Sequence, residues 1–436
     1  MRVLDLRGQR PSRAEMLDLI PRHTGDSESA HAAARDLVDE VRRDGEKALR
    51  RHAQEFDRVT GHSIRVPREQ LIGALESLSP AVRAALESTI ERVRQASAVQ
   101  VPAEATTDFS NGGRVVQRWL PVERVGLYVP GGKAVYPSSV VMNVVPAQIA
   151  GVSSIALVSP PQHAFDGRVH PTILAAAELL GVTEVYAMGG ASAIGALAYG
   201  VADIDLAPVS VITGPGNQYV AAAKRYVRSH VGIDSEAGPT EILVIADDSA
   251  DAAFVAADLI SQAEHDELAS SILVTDSAAL VDAVSRELVS QVASTSHSER
   301  VSVALRGAQS ALVIVDDIDV AVDFSNAYGP EHLEVQTTVN ALIVPRLVNA
   351  GAIFVGDYSP VSLGDYSAGS NHVLPTGGHS AFSSGLGAYT FLRAQQVIEY
   401  SKDALREVSA GLQALASNED LPAHGDAVAV RFETEK

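Results

Sequence analysis

The sequence predicts an α/β protein that contains two doubly wound parallel sheets. From Val125 onward, short apolar segments typical of buried strands alternate with longer segments typical of helices. This alternation occurs twice, and the glycine-containing segment 236–239 separates the two runs. The chain of 436 residues is 46% hydrophobic and 20% charged, which suits a globular protein with a large core.

The first run contains four candidate strands, VGLYV, SIALVSP, EVYAMGG and VSVITGPG. The candidate helices between and after them are SSVVMNVVPAQIAG, PTILAAAELLG, ASAIGALAYG and QYVAAAKRYVRSHV. Strands separated by helices of this length pair in parallel through helical crossovers. The run therefore predicts one doubly wound, Rossmann-like unit.

The second run predicts a similar unit. Its candidate strands are EILVIAD, SSILVTD, SALVIVD and GAIFVGD, and its candidate helices are ADAAFVAADLISQAEH and ALVDAVSRELVSQVA. Upstream of both runs, residues 28–59 and 67–98 are predicted to be helical, and in the second segment apolar residues recur every three or four positions. The chain from Leu386 onward is predicted to be mostly helical.

Composition excludes several classes of function. The net charge of −20, from 34 basic and 54 acidic residues, disfavours binding to nucleic acid or to anionic lipid. Without cysteine there is no disulfide, no thiolate metal site and no cysteine nucleophile. No signal peptide and no apolar run of about 20 residues is present, so we expect a cytoplasmic protein without a membrane span.

The segment YGPEHLE places two proton-transfer groups side by side. Glu331 and His332 follow the Gly329-Pro330 turn signal. Imidazole titrates near neutral pH and a carboxylate can activate water, so the pair suits general acid–base catalysis. The alternative interpretation is a turn followed by the solvated, acidic start of a strand.

Three other segments carry potential metal ligands. Gln262 and His265 lie three residues apart near the end of a predicted helix and so share a face, although a polar helix end would show the same pattern. Asp365 and His372 lie in a predicted loop of small residues, which is either a site loop or an ordinary surface loop. His424 follows a proline turn near the C-terminus, where a solvent-exposed polar residue is the alternative.

Two glycine turns after predicted strands, Gly214-Pro215-Gly216-Asn217 and Val129-Pro130-Gly131-Gly132, suit a phosphate group, and neither is a GxGxxG fingerprint. Gly214-Pro215-Gly216-Asn217 follows a predicted strand and precedes a predicted helix, where glycines let backbone N–H groups approach a pyrophosphate. Tight turns that need glycine for backbone reasons therefore remain an alternative.

Together these segments resemble the histidinol dehydrogenase family, and most closely its actinobacterial members. The resemblance covers residues 25–432. The motifs that carry it occur in the order of the family: GPGN, EAGPTEI, ISQAEHDE, GPEHLE, GDYSAGSNHVLPT and EDLPAH. It implies a zinc- and NAD-dependent enzyme of the last steps of histidine biosynthesis, active as a homodimer with shared active sites.

The resemblance also implies roles for individual residues. It implies that one Zn²⁺ per subunit is held by Gln262, His265, Asp365 and His424, the last from the partner chain. Glu331 and His332 match the family's catalytic pair. The family's substrate contacts correspond to these four zinc ligands, to His332, and to Thr240, His372 and Glu419, the last again from the partner chain.

The NAD contacts include a departure from the family. Tyr128 and Asn217 match cofactor-contacting positions, but Ser192 stands where the family usually carries a glutamine, which puts one cofactor hydrogen bond in doubt. Thr240 replaces a frequent serine and keeps its hydroxyl group. Ser367 stands where relatives often carry cysteine, so a covalent thiohemiacetal mechanism is excluded in this chain.

The implied reaction consumes two NAD⁺ per turnover and oxidises L-histidinol through L-histidinal to L-histidine. In it, zinc binds the imidazole and amino nitrogens of the substrate, His332 is the base in both oxidations, and Glu331 activates water between them. Two alternatives are a related zinc-dependent dehydrogenase of another polar alcohol, such as a sulfonated diol, and a zinc hydrolase that uses Glu331 as base without a nucleotide.

We expect four parts in the chain. Residues 1–24 are an N-terminal extension, and residues 25–126 with 243–385 form a discontinuous first α/β domain. Residues 127–242 form the second, NAD-binding α/β domain. Residues 386–436 form a helical extension that contributes to the partner's site.

Overall fold

The computed structural model describes residues 1–9, 11–22, 28–131, 135–236 and 238–432. It divides into a first unit, Met1–Gln100 with Glu123–Phe391, and a second unit, Val101–Val122 with Leu392–Lys436. The predicted boundary between residues 24 and 25 lies outside the described residues. The predicted domain 127–242 and the segment 243–385 of the other predicted domain fall within the first unit, whereas residues 101–122 of that other domain belong to the second unit.

A six-stranded parallel sheet is the larger sheet of the first unit. Across the sheet, its strands are Arg2–Asp5, Ala311–Ile314, Ser270–Thr275, Glu241–Ala246, His332–Gln336 and Ala352–Val355. Its first strand comes from the predicted N-terminal extension, so that extension is part of the sheet. For the segment of the strand His332–Gln336, the sequence predicted at most the solvated, acidic start of a strand. The complete strand was not predicted.

A five-stranded parallel sheet is the other sheet of the first unit. Its strands, in order, are Glu184–Ala187, Ser154–Ser159, Arg124–Tyr128, Val211–Thr213 and Gly232–Ile233. Four of the five correspond to the apolar segments predicted from the sequence. The predicted α/β class with two helix-connected parallel sheets is confirmed.

Helices connect and cover the strands of the first unit. They are Arg13–Leu19, Glu28–Asp44, Glu46–His52, Arg68–Glu76, Pro80–Ala98, Pro137–Ala150, Pro171–Leu179, Gly190–Tyr199, Gln218–Val227, Ala252–Ala263, Ala278–Ser294, Ser298–Arg306, Ile318–Tyr328, Asn340–Ile343 and Val361–Tyr366. The predicted helix 28–59 is interrupted at Gly45, whose φ of +56° leaves the helical region. Proline begins three of these helices, because its fixed φ and missing N–H suit the first helical position.

The helix Glu28–Asp44 packs on the five-stranded sheet and its helices. Its buried residues Ala34, Val38 and Val41 share a core with the helix Gly190–Tyr199. The predicted domain boundaries instead place this segment with residues 243–385. An apolar helix face shows that a helix is covered but not by which sheet, so the pattern could not identify the partner.

The second unit contains an antiparallel sheet with strands Leu392–Tyr400, Gly113–Pro121 and Ala105–Asp108, followed by helices Lys402–Asn418 and Pro422–Ala429. The prediction of a mostly helical segment from Leu386 is therefore wrong for Leu392–Tyr400. That strand gains its stability from pairing with a segment almost 300 residues earlier, which local sequence does not reveal. Across the described residues of both units, no helix is long and apolar enough to cross a membrane.

Candidate functional site

A cavity of ≈630 Å³ lies in the first unit where the two parallel sheets approach each other. The five-stranded sheet contributes the carboxyl ends of its strands, because Pro130 and Pro215 follow strands that end at Tyr128 and Thr213. The six-stranded sheet contributes amino ends, because Thr240 and Glu331 precede the strands that begin at Glu241 and His332.

Glu331 is buried at the wall of this cavity. Its Oε2 accepts hydrogen bonds from the Thr240 hydroxyl at 2.5 Å and from the Glu241 N–H at 2.9 Å. Burial raises the pKa of Glu331 to about 8, and these two hydrogen bonds act in the opposite direction. A carboxyl group with a pKa near neutrality can both give and take a proton, as a water-activating group must.

His332 is held in one tautomer. Its Nδ1 lies 3.0 Å from the backbone carbonyl of Glu241, and a carbonyl oxygen can only accept a hydrogen bond. Nδ1 therefore carries the ring proton, which leaves the lone pair on Nε2. Burial lowers the pKa of His332, with the nearby Asp365 carboxylate acting against it, so the ring is neutral at neutral pH. A neutral imidazole with a free Nε2 is a suitable general base.

Gln262 has a free amide oxygen beside these groups. It lies near the end of the helix Ala252–Ala263, and its Nε2 donates to the Thr240 hydroxyl. Its Oε1 is buried and has no hydrogen-bond partner among the described residues. An unpaired buried amide oxygen costs about 1–3 kcal/mol unless a ligand satisfies it. The orientation therefore fits Gln262 Oε1 as a metal ligand.

His265 and Asp365 are close enough to interact electrostatically. Burial lowers the pKa of His265, and the Asp365 carboxylate partly offsets this effect. Asp365 lies in the short helix Val361–Tyr366, so the prediction that it belongs to a loop is wrong. The helix forms because Pro360 starts it and Gly364 lets it approach the strand Ala352–Val355, where an added Cβ would lie 2.6 Å from the Phe354 ring.

His372 faces the same cavity from the loop that follows this helix. Its Nδ1 lies 3.0 Å from the Asp365 carbonyl, and its Nε2 lies 2.9 Å from the Ser139 hydroxyl. Nδ1 is therefore the protonated nitrogen, and Nε2 accepts from Ser139. Burial lowers the pKa of His372, and the Asp365 carboxylate acts against that effect. The ring is fixed and polar, as a substrate-contacting group should be.

The donor set of one chain fits zinc in part. Gln262, His265 and Asp365 supply one amide oxygen, one imidazole and one carboxylate, which are hard or borderline ligands suited to Zn²⁺. Within the described residues, no group of three or more His, Asp or Glu side chains could hold a metal by itself. The sequence predicts a further ligand, His424, from a second chain.

Glu419 and His424 belong to the second unit. Glu419 ends the helix Lys402–Asn418, and His424 lies in the helix Pro422–Ala429. Both side chains are exposed in the single chain. Their predicted roles toward substrate and zinc stay predictions.

Asn217 lies at the mouth of the cavity and begins the helix Gln218–Val227. Its Oδ1 accepts hydrogen bonds from the N–H groups of Tyr219 and Val220. The adjacent Gly214 has a φ of +114°, and an added Cβ would lie 2.0 Å from the Tyr128 carbonyl oxygen. Glycine is thus required at this turn, which brings the backbone and a helix N-terminus to the cavity.

Tyr128 and Ser192 are both buried, and neither lines the cavity. The Tyr128 hydroxyl accepts a hydrogen bond from the Gly190 N–H at 3.2 Å. Ser192 Oγ lies 2.7 Å from His52 Nδ1, and the His52 Nε2 contacts Glu40. The structure brings Asn217 to the cavity but leaves these two predicted cofactor contacts engaged with the protein.

Sequence reasoning missed two groups that orient the site. The Glu241 carbonyl fixes the tautomer of His332, and the Ser139 hydroxyl fixes the ring of His372. A backbone carbonyl leaves no signal in the sequence. The signal for Ser139 is weak, since a serine in the first turn of a helix is common for reasons of local hydrogen bonding.

Comparison with known proteins gives one consistent result. A family model described as histidinol dehydrogenase matches residues 20–432. A histidinol dehydrogenase of Leifsonia xyli subsp. xyli is 62% identical over 433 residues, covering 99% of each chain. One of Mycolicibacterium smegmatis is 57% identical, covering 99% of this chain and 98% of the relative. The crystal structure of histidinol dehydrogenase from Elizabethkingia anophelis superposes with a TM-score of 0.93 at 32% identity, covering 100% and 98% of the two chains.

Proposed function

The chain belongs to the histidinol dehydrogenase family, and from that premise we propose that it oxidises L-histidinol through L-histidinal to L-histidine in histidine biosynthesis. We propose NAD⁺ as the oxidant, consumed twice per turnover, and one Zn²⁺ per subunit. The observation that carries this proposal is the fixed tautomer of His332, whose Nε2 is free beside Glu331 in a shared cavity.

When bound, zinc would hold the substrate by its nitrogen ligands, and NAD⁺ would accept hydride. His332 Nε2 takes the hydroxyl proton of the alcohol in the first oxidation. Glu331 then takes a proton from water, the resulting hydroxide adds to the aldehyde carbon, and protonated His332 gives its proton to the former carbonyl oxygen. This step forms the hydrate and returns His332 to its neutral form. His332 Nε2 takes a hydroxyl proton of the hydrate in the second oxidation, so one base serves both steps.

The two ends of the cavity support this assignment of ligands. At one end, the turn from Gly214 to Asn217 lies at a helix N-terminus, which favours an anionic pyrophosphate. At the other end, Gln262 and His265 lie at a helix C-terminus, where the helix dipole favours a cation. Zinc and the ammonium group of histidinol are cations of this kind.

The test is an assay of the purified protein with histidinol and NAD⁺, with and without a strong chelator. We expect two NADH for each histidine formed, loss of activity after chelation, and recovery with Zn²⁺. An anionic diol serves as the alternative substrate. Turnover of the diol in preference to histidinol, or one NADH per product, would contradict the proposal.

We also propose that the active protein is a homodimer in which Glu419 and His424 complete the partner's site. The proposal rests on the family and on the exposure of Glu419 and His424 in the single chain. Mixing inactive His332→Asn chains with inactive His424→Ala chains tests it. A hybrid dimer would contain one site with both residues intact, so activity should reappear on mixing. Two inactive proteins that stay inactive after unfolding and refolding together would refute shared sites.

A further inference from the structure

The strand His332–Gln336 carries an unusual row of buried polar side chains. His332, Glu334 and Gln336 point to one face of the six-stranded sheet, because alternate residues of a strand share a face. The neighbouring strand Glu241–Ala246 presents Ile242, Val244 and Ala246 to the same face, and these residues belong to an apolar core. Only His332 has a role in the proposed chemistry, so Glu334 and Gln336 need another explanation.

Glu334 is only 1% exposed and contacts two other elements. Its Oε1 accepts a hydrogen bond from the backbone N–H of Val361 at 2.9 Å. Gln336 Nε2 lies 3.3 Å from Glu334 Oε2 and 3.5 Å from Asp258 Oδ2, so one amide bridges the two carboxyl groups.

Each element joined in this way carries a residue of the proposed site. Asp258 lies one turn before Gln262 in the helix Ala252–Ala263. Glu334 lies two residues after His332 on the same face of the strand. Val361 is the first residue of the helix that carries Asp365. The carboxyl pair therefore lies where two ligand-bearing helices and the base-bearing strand meet.

Like-charge carboxylates would repel each other strongly in this apolar surrounding, so the pair holds a proton. Burial and the Asp258 carboxyl raise the pKa of Glu334 to about 9, and burial raises that of Asp258 to about 6. The groups that act on Glu334 are Asp258, the Val361 N–H and the Gln336 amide, none of which is cationic. A buried pair of acids without a cation is a costly arrangement, and hydrophobic residues would fill the space without that cost.

We propose that Asp258 and Glu334 are positioning residues that share one proton and set the relative placement of Gln262, Asp365 and His332 for metal binding. The inference rests on the proposed function, because it assumes that Gln262 and Asp365 bind zinc. Groups that orient metal ligands from behind typically change metal affinity 10- to 100-fold when they are removed. The pair would act here through the backbone of three elements rather than through one ligand.

The test is a chelator-competition measurement of zinc affinity on the full-length protein. In Glu334→Leu we expect the zinc dissociation constant to rise about 10- to 100-fold. In Glu334→Gln an amide N–H takes the place of the shared proton, so zinc affinity should stay close to that of the wild type. If zinc affinity is retained in Glu334→Gln but lost in Glu334→Leu, the side chain positions the ligands and does not merely fill space.

Asp247→Asn is the matched control. Asp247 is also buried beside the six-stranded sheet and accepts a backbone N–H, that of Thr338, at 2.7 Å, but it joins no ligand-bearing helix. Its replacement should lower thermal stability without changing zinc affinity. Equal zinc affinity in folded Glu334→Leu and wild type would overturn the inference, as would equal losses in the leucine and glutamine variants.

A second variant covers the case in which Glu334→Leu does not fold. Val361→Pro removes the N–H that donates to Glu334 and keeps an apolar side chain at this buried position. The position is the first of the helix and accepts proline, after Pro360 with an extended ψ of 153°. We expect weaker zinc binding in a folded protein, and unchanged affinity would overturn the inference. A wild-type protein that binds no zinc would instead refute the proposed function.

Discussion

The two parallel sheets of the first unit present opposite ends to one cavity. The five-stranded sheet offers the carboxyl ends of its strands, where ligands of open α/β sheets usually bind. The six-stranded sheet offers amino ends, with Thr240 before one strand and Glu331 before another. Carboxyl ends lead into helix N-termini, which attract anions, whereas amino ends follow helix C-termini, which attract cations.

The proposed function gives a physical reason for this difference. A dinucleotide brings negative phosphates, while zinc and an amino-alcohol bring positive charge. The helix ends at one sheet edge carry partial charges of one sign. A single edge would therefore favour either the anionic or the cationic ligand, but not both. Two sheets that approach by opposite edges bring both kinds of helix terminus to one cavity, so the proposed function predicts separable effects for substitutions on the two sheets.

The largest expected effect is on the six-stranded sheet, at the base. His332→Asn should reduce both alcohol and aldehyde oxidation by about 10²–10⁴-fold, because it removes the Nε2 lone pair. Separate assays with histidinol and histidinal measure the two steps. His62→Asn is the control, since His62 is also buried and bonded to a carbonyl, that of Ala187 at 3.1 Å, but lies outside the cavity lining. Retention of either oxidation in His332→Asn would refute the role of a shared base.

Next in size is the loss of metal at the cation end. His265→Ala should remove stoichiometric zinc, because only Gln262 and Asp365 of the same chain would remain as ligands. Metal analysis of the purified variant measures it. The exposed His163, outside the cavity, provides the alanine control and should leave the zinc content unchanged. If zinc stays stoichiometric in His265→Ala, the ligand assignment is wrong.

A more selective effect is expected at Glu331. Glu331→Gln should slow aldehyde oxidation by about 10²-fold and alcohol oxidation much less, because only the aldehyde step needs an activated water. The ratio of the two rates in one preparation is the measurement, and it is independent of the fraction of active protein. Equal losses in both steps would show that Glu331 does not have this separate role.

A substitution on the five-stranded sheet should weaken cofactor binding and leave zinc binding unchanged. Gly214→Ala places a Cβ against the Tyr128 carbonyl and strains the turn, so we expect the KM for NAD⁺ to rise about tenfold while zinc content stays constant. Gly181→Ala is the control, because Gly181 has a similar positive φ of +72° but no atom within 4 Å of an added Cβ. A loss of zinc in Gly214→Ala would show that the two sheets do not act separately.

The last expected effect is on stability rather than on activity or zinc binding, and it depends on pH. The six-stranded sheet buries the acid pair Asp258 and Glu334, whereas the five-stranded sheet buries the oppositely charged pair Lys224 and Asp234. The pKa of Glu334 is raised from 4.5 to about 9, so the folded state keeps a proton that the unfolded state loses. Wild-type stability should therefore fall as pH rises through this window.

Glu334→Gln cannot titrate, so its melting temperature relative to wild type should increase steadily from about pH 4.5 to about pH 9. The Asp247→Asn difference should stay flat over the same range, because hydrogen bonds lower the pKa of Asp247 despite its burial. A flat difference for Glu334→Gln would show that the acid pair holds no extra proton.

Much of the fold could be predicted from the sequence. Eight apolar segments identified both parallel sheets, because buried parallel strands are continuous apolar runs with helices between them. The strand His332–Gln336 was harder, since its alternation of polar and apolar residues is typical of a strand with one solvated face. In the structure both faces are buried, and Glu334 lies in a core instead of in solvent.

The sequence by itself determined which residue types are available for chemistry: an acid beside a base, N and O metal donors, glycines at one turn, and no thiol. Only the tertiary structure decided how they are used. The tautomer of His332 depends on a carbonyl 91 residues away in sequence, and the free oxygen of Gln262 depends on the Thr240 hydroxyl. Such contacts depend on how strands pair and helices pack, and these arrangements involve residues too distant in sequence for a local pattern to specify.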